Sequence, residues 1–72
     1  MNSKKSYIEI SPSGRWKVLD WDTGKTLYHF GNSECDRLIA LAVSYKLNGW
    51  KIPKWLEPYY EKVKDKIRDE EL

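Results

Sequence analysis

Cationic and aromatic side chains recur together near the start of this 72-residue chain. The set consists of Lys4, Lys5, Arg15, Lys17, Trp21, Lys25 and His29. Lysine and arginine pair with phosphate groups, and aromatic rings approach or stack on bases. The pattern indicates a nucleic-acid-binding module in which the cations contact phosphates and Trp21 or His29 approaches bases.

A second set of large apolar side chains lies in the same stretch, and it consists of Tyr7, Leu19, Trp21 and Leu27. Apolar groups gathered on one surface are costly to leave in water and are typical of contact surfaces between proteins. They favour an alternative function, a protein-interaction or inhibitor module of phage or mobile-element type. A second copy of the chain is a further candidate partner through the same surface.

Nothing in the sequence predicts catalysis. Most carboxylates alternate with lysines near the C-terminus, which is typical of a solvated helix face rather than an acid–base pair. Asp20, Asp22 and His29 could form a base and its orienter, but Asp22 lies where a turn favours an Asx residue. Each glycine is explained by a turn or a cap, so none builds a phosphate loop. We expect a non-enzymatic protein without a cofactor.

Metal and thiol chemistry are poorly supported by one cysteine, Cys35, and one histidine, His29. These are too few for a four-ligand zinc site, and a single cysteine forms no intramolecular disulfide. Cys35 falls on the apolar stripe of a predicted helix, so we expect it to be a small core residue.

The chain carries 13 basic and 11 acidic residues, for a net charge of +2. The excess belongs to residues 1–31, which hold five cations and three anions, whereas residues 32–72 are balanced. The N-terminus has no apolar leader segment, and no window is long and apolar enough to cross a membrane. We therefore expect a cytoplasmic protein with no membrane partner.

A three-stranded antiparallel meander is predicted for residues 7–30, with turns at residues 11–14 and 22–25. Strict alternation directs one set of side chains towards the core: Ile8, Ile10, Trp16, Val18, Tyr28 and Phe30. The opposite set faces outward: Tyr7, Arg15, Lys17, Leu19, Trp21, Lys25, Leu27 and His29. The predicted outer face is thus basic and partly aromatic.

A central helix is predicted for residues 33–48, with Ser33 as its N-cap. Asn48-Gly49 should end it in a Schellman motif that Trp50 completes with an apolar contact. Apolar side chains cover most of its circumference, so the sheet must cover one side and the chain after residue 49 the other. We expect Trp16 and Leu38 both to lie in the core between sheet and helix.

The C-terminal part, residues 53–70, is predicted to be helical, with Pro53 and Pro58 each near a first turn and the final helix over residues 58–70. Alternation at residues 50–52 leaves a short fourth strand as an alternative. The whole chain is thus predicted to be one α+β domain of order β-β-β-α-α, with a flexible tail at residues 1–6.

The segment from Gly14-Arg15-Trp16-Lys17-Val18 through the turn at residues 22–25 to Phe30 and Ser33-Glu34 resembles two groups of DNA-binding domains. These are the AP2-like domains and the N-terminal domains of phage-type tyrosine integrases, and the resemblance covers about residues 7–45. In those families the sheet lies in the DNA major groove and its outward side chains touch phosphates and bases. By resemblance those roles would fall to Arg15, Lys17, Trp21 and Lys25.

This chain departs from both families in three respects: a shorter connection between Phe30 and the helix, a less basic sheet, and Cys35 in place of alanine. The same pattern also resembles small β-β-β-α domains, for which the resemblance implies no activity.

Overall fold

Three strands and two helices make up the fold in a computed structural model that describes residues 5–66. In chain order they are β1 (Ser6–Ile10), β2 (Trp16–Asp20), β3 (Thr26–His29), α1 (Glu34–Leu47) and α2 (Glu57–Glu61). The strands form one antiparallel sheet in the order β1-β2-β3. α1 packs against β1 and β2, and α2 packs against α1. The predicted α+β fold of order β-β-β-α-α is confirmed.

Both turns of the meander use a glycine at positive φ, a conformation that side chains with a Cβ rarely adopt. Gly14 has φ 88° and its N–H donates to the Ser11 carbonyl at 2.8 Å. Gly24 has φ 75° and its N–H donates to the Asp20 carbonyl at 2.9 Å. The Asp20 carboxylate accepts from the N–H groups of residues 22 and 23, so Asp20 rather than Asp22 organises this turn.

The inner face of the sheet packs on α1 through Val18, which is fully buried. Cross-strand register aligns Ile8, Val18 and Tyr28 in one row on this face. Val18 belongs to a core cluster with Ile39, Ala40, Val43 and Val63, and Trp16 packs against that cluster as predicted. Ile10 is 50 % exposed because it stands in the last pair of the β1–β2 ladder.

Two predictions about the core-facing side of α1 are wrong. Leu38 is half-buried and lies outside the core cluster, whose first helical residue is its neighbour Ile39. Cys35 is exposed. It lies one turn before Ile39 on the same stripe, and the buried part of that stripe begins only at Ile39.

A capping box opens α1, as Ser33 predicted. The Ser33 hydroxyl accepts from the Asp36 N–H at 3.0 Å, and the Asp36 carboxylate accepts from the Ser33 N–H at 3.2 Å. A Schellman motif closes the helix, with the Gly49 N–H donating to Lys46 and the Trp50 N–H to Tyr45. The Tyr45 and Trp50 rings meet edge to face at 5.4 Å. Both ends of the helix are therefore confirmed.

The C-terminal helix is shorter than predicted. α2 ends at Glu61, and turns continue to residue 66 through i to i+3 bonds such as Val63 N–H to Tyr60 carbonyl at 3.0 Å. Among residues 62–66 only Val63 is buried. A longer helix would therefore gain little stability from packing its side chains against the core. The predicted end at residue 70 lies outside the described residues. Residues 50–52 form no strand, and the predicted tail loses Ser6, which is buried within β1.

Asp36→Asn is expected to make the protein less sensitive to acid. Hydrogen bonds from the Ser33 side chain and N–H lower the pKa of the Asp36 carboxyl below its usual value. Its contribution to stability is thus present above the unfolded pKa of about 3.9 and is lost as pH falls from there through the lower folded pKa. Thermal melts of both proteins between neutral and acidic pH should converge as pH falls; parallel curves would contradict this role.

Candidate nucleic-acid interface

The face of the sheet opposite α1, here called the outer face, is not covered by either helix. Register places Glu9, Lys17 and His29 in one row across the three strands. A second row joins Tyr7, Leu19 and Thr26. Val18, which points the other way, holds α1 on the inner face, and among residues 5–66 α2 contacts no strand. Within the part of the chain that the structure describes, neither helix therefore covers the outer face, although Leu19 in its second row is buried.

The basic side chains on or beside the outer face are Lys5, Arg15, Lys17, Lys25 and His29. Lys17, on the central strand, is partly buried, and the other four are exposed. Within residues 5–66 the ion pairs are Arg37 with Glu34 and Lys64 with Glu61, so neither involves a strand. The cations of the face are thus available to an outside anion as far as the described chain is concerned. Lys4 lies outside the described residues.

Acidic groups temper the positive charge of this face. Glu9 stands directly across from Lys17 in the β1–β2 register. Asp20 lies at the turn beside Lys25, and hydrogen bonds from the backbone N–H groups of Thr23 and Asp22 lower the pKa of its carboxyl. Asp20 is therefore ionised at neutral pH, and the face combines both signs with a small cationic excess.

A β-bulge rearranges the apolar residues of the outer face. Val18 pairs with Tyr28 but the next residue, Leu19, pairs with Thr26, which leaves Leu27 as the extra residue. Leu19 is only 5 % exposed, so its predicted role as a surface anchor is wrong. Leu27 and Trp21 remain 43 % and 50 % exposed.

Tyr7 supports the exposed indole of Trp21. The two rings meet edge to face with centroids 5.4 Å apart and an angle of 88° between their planes. Tyr7 itself is half-buried. The contact fixes the position of Trp21 while half of its surface stays accessible to a partner.

The structure does not bring Asp20, Asp22 and His29 together. His29 pairs with Lys17, which lies on β2. Asp20 ends β2 three residues after Lys17, so it lies about 10 Å along that strand from the residue that His29 pairs with. No group of three or more metal-binding side chains occurs among residues 5–66. Nor does that part of the chain contain a helix with the length and apolar character needed to cross a bilayer.

A groove of about 430 Å³ opens at the end of the sheet beside β3, and sequence reasoning missed it. Its apolar lining includes Tyr28, Phe30, Ile39 and Val63. Three basic side chains also line it, Arg15, His29 and Lys66. These residues come from β3, α1, two connecting segments and the segment after α2, so no local pattern could indicate the groove.

Comparison with protein families, with curated proteins and with solved structures found no match to this chain. The resemblance to AP2-like and integrase domains therefore remains a prediction.

Proposed function

We propose that this protein is a non-enzymatic module that binds nucleic acid through the outer face of its sheet. The observation that carries the proposal is that cations follow the length of the outer face. Lys17 and His29 share one row, the exposed Arg15 lies before β2, and the exposed Lys25 and Trp21 lie at the turn after it. Cations supply sequence-independent attraction to phosphates, and an accessible indole supplies a stacking surface.

The small number of cations limits one copy of the protein to a modest affinity for nucleic acid. Lys4, Lys5, Arg15, Lys17 and Lys25 allow four to five phosphate contacts. With that many contacts, log K should fall with log salt at a slope of roughly −4. The exposed free thiol of Cys35 fits a reducing compartment, so we place the protein in the cytoplasm.

Replacing Arg15 and Lys17 together by alanine should weaken binding by about 1 to 3 kcal/mol and flatten the salt slope by about 2. Fluorescence anisotropy with a labelled oligonucleotide at several salt concentrations measures both quantities. Lys51→Ala with Lys54→Ala is the matched control, since it removes the same charge from exposed residues outside the sheet. An equal loss in the control pair would show that net charge, not this face, governs binding.

Glu9→Gln is a variant that should change the affinity in the same experiment in the opposite direction. Its carboxylate faces Lys17 across the ladder and repels an approaching phosphate. Removing that charge at nearly constant shape should tighten binding by up to about 1 kcal/mol. A weaker complex would argue that phosphates do not approach this row.

A protein-interaction or inhibitor module is the second candidate, and the exposed apolar pair Trp21 and Leu27 favours it. Under that function Trp21→Ala or Leu27→Ala should cost about 2 kcal/mol or more of partner affinity. Under nucleic-acid binding Leu27→Ala should have little effect. Failure of the wild-type protein to bind any nucleic acid at low salt would eliminate the first proposal, and sedimentation would then test a second copy as the partner.

A further inference from the structure

The groove beside β3 is continuous with the outer face, because two basic residues belong to both. His29 stands in the outer-face row with Lys17 and also lines the groove. Arg15, two residues before Lys17, lines it as well. A polyanion held on the outer face would therefore pass the opening of the groove.

The groove has the size and lining of a site for a flat organic group. Its volume of about 430 Å³ lies within the range of about 300 to 1,000 Å³ that is usual for small-molecule sites. Tyr28 and Phe30 contribute aromatic rings, while Ile39 and Val63 contribute aliphatic surface. Such a lining suits a heterocyclic base, which every nucleotide presents with a π-face.

The charge of the groove complements a phosphate. Asp36 is the one acidic side chain among the described residues that line it, and its carboxylate accepts from the Ser33 hydroxyl at 2.7 Å and the Ser33 N–H at 3.2 Å. That carboxylate is therefore engaged in the capping box of α1. Arg15 and Lys66 supply two positive charges to the same groove.

We propose that the groove takes one unpaired base of a single-stranded nucleic acid, with neighbouring phosphates on Arg15 and Lys66. The inference rests on the proposed function and specifies its ligand. A base inside a duplex is stacked and paired and cannot enter a recess, whereas a single strand offers its bases at little cost. The protein should therefore prefer single strands to duplexes.

Three labelled probes of equal length test the inference with the full chain: oligothymidine, oligothymidine with one central nucleotide lacking its base, and a duplex. Stacking of one base typically changes affinity about fivefold or more. The intact single strand should therefore bind at least about fivefold more tightly than the abasic one, in the register that uses the groove. A long oligonucleotide could bind with a different base in the groove. The probes should therefore be only long enough to reach from Lys66 to Lys17, so that the central nucleotide lies at the groove.

Lys66→Ala adds a protein variant with a close control. It should reduce the salt slope for the single strand by about 1, as expected for the loss of one phosphate contact. Lys62→Ala removes the same charge from the same segment, but Lys62 does not line the groove, so its slope should stay that of the wild type. Phe30→Leu keeps an apolar residue and removes the ring. It should reduce the difference in affinity between the intact and the abasic probe.

The outcomes separate the two proposals. Equal affinity for intact and abasic strands, or tighter binding of the duplex, would overturn the groove as a base site while leaving nucleic-acid binding by the outer face in place. An equal effect of Lys62→Ala and Lys66→Ala would also overturn it. Absence of binding to all three probes at low salt would remove the proposed function itself.

Discussion

Leu56→Ala is expected to destabilise the protein by about 2 to 5 kcal/mol, the largest loss among the substitutions considered. Leu56 is the largest of the fully buried side chains, and it immediately precedes α2, which packs on α1. Its removal leaves a cavity in the buried part of the segment that leads into α2. The total free energy of unfolding of a native protein is only about 5 to 15 kcal/mol. The loss should therefore be clear when urea unfolding is followed by circular dichroism.

Leu27→Ala is the matched control, because it removes the same atoms from a side chain that is 43 % exposed. A surface substitution of this kind usually changes stability by about 0.5 kcal/mol or less. Similar unfolding midpoints for the two variants would show that the buried side chain of Leu56 adds no more to stability than an exposed leucine does.

Local signals account for the parts of the fold that the sequence predicted. Ser33 and Asp36 are three residues apart, and Tyr45 and Trp50, whose rings are in contact, are five residues apart. Both motifs are complete within a few residues, so they can be identified without knowing the tertiary structure. The turns at Gly14 and Gly24 are local in the same sense.

Long-range packing decided the elements that were predicted wrongly. Cys35 shares a stripe with Ile39, yet burial depends on where the packed part of the helix begins, which no periodicity shows. The bulge after Val18 depends on how β3 pairs with β2, and strict alternation misses it. Leu19 is likewise buried although alternation places it on the exposed side.

The candidate site divides in the same way. Alternation along β2 and β3 was enough to predict that Lys17 and His29 share the outer face. The sequence did not show that Glu9 lies directly opposite Lys17, because register between strands is a property of the folded sheet. The groove depends on residues as distant as Arg15 and Lys66, and only the folded chain brings them together.

A buried polar cluster lies at the start of β1, where the sequence predicts a flexible tail that includes Ser6. The Ser6 hydroxyl lies 2.9 Å from the Ser44 hydroxyl, and both residues are buried. The Asn48 side-chain oxygen accepts from the N–H groups of Lys5 at 2.6 Å and Ser6 at 2.7 Å. Its nitrogen donates to the Ser6 carbonyl at 3.3 Å. One side-chain amide thus pairs with Ser6 as a neighbouring strand would, and closes that part of the free edge of β1.

Asn48→Ala is accordingly expected to destabilise the protein by about 2 to 3 kcal/mol, more than a typical surface substitution. The loss arises because two backbone N–H groups lose their acceptor, and that of Ser6 lies where water has limited access. Asn48→Asp keeps the accepting oxygen and should retain more stability than alanine does.

Hydrogen exchange identifies the cause of that loss, because the Ser6 amide should exchange faster in Asn48→Ala at temperatures where the rest of the sheet stays protected. Asn32→Ala, at an exposed position between β3 and α1, is the control and should leave both stability and Ser6 exchange unchanged. Unaltered protection of Ser6 in Asn48→Ala would mean that the edge of β1 is held by its ladder with β2 alone.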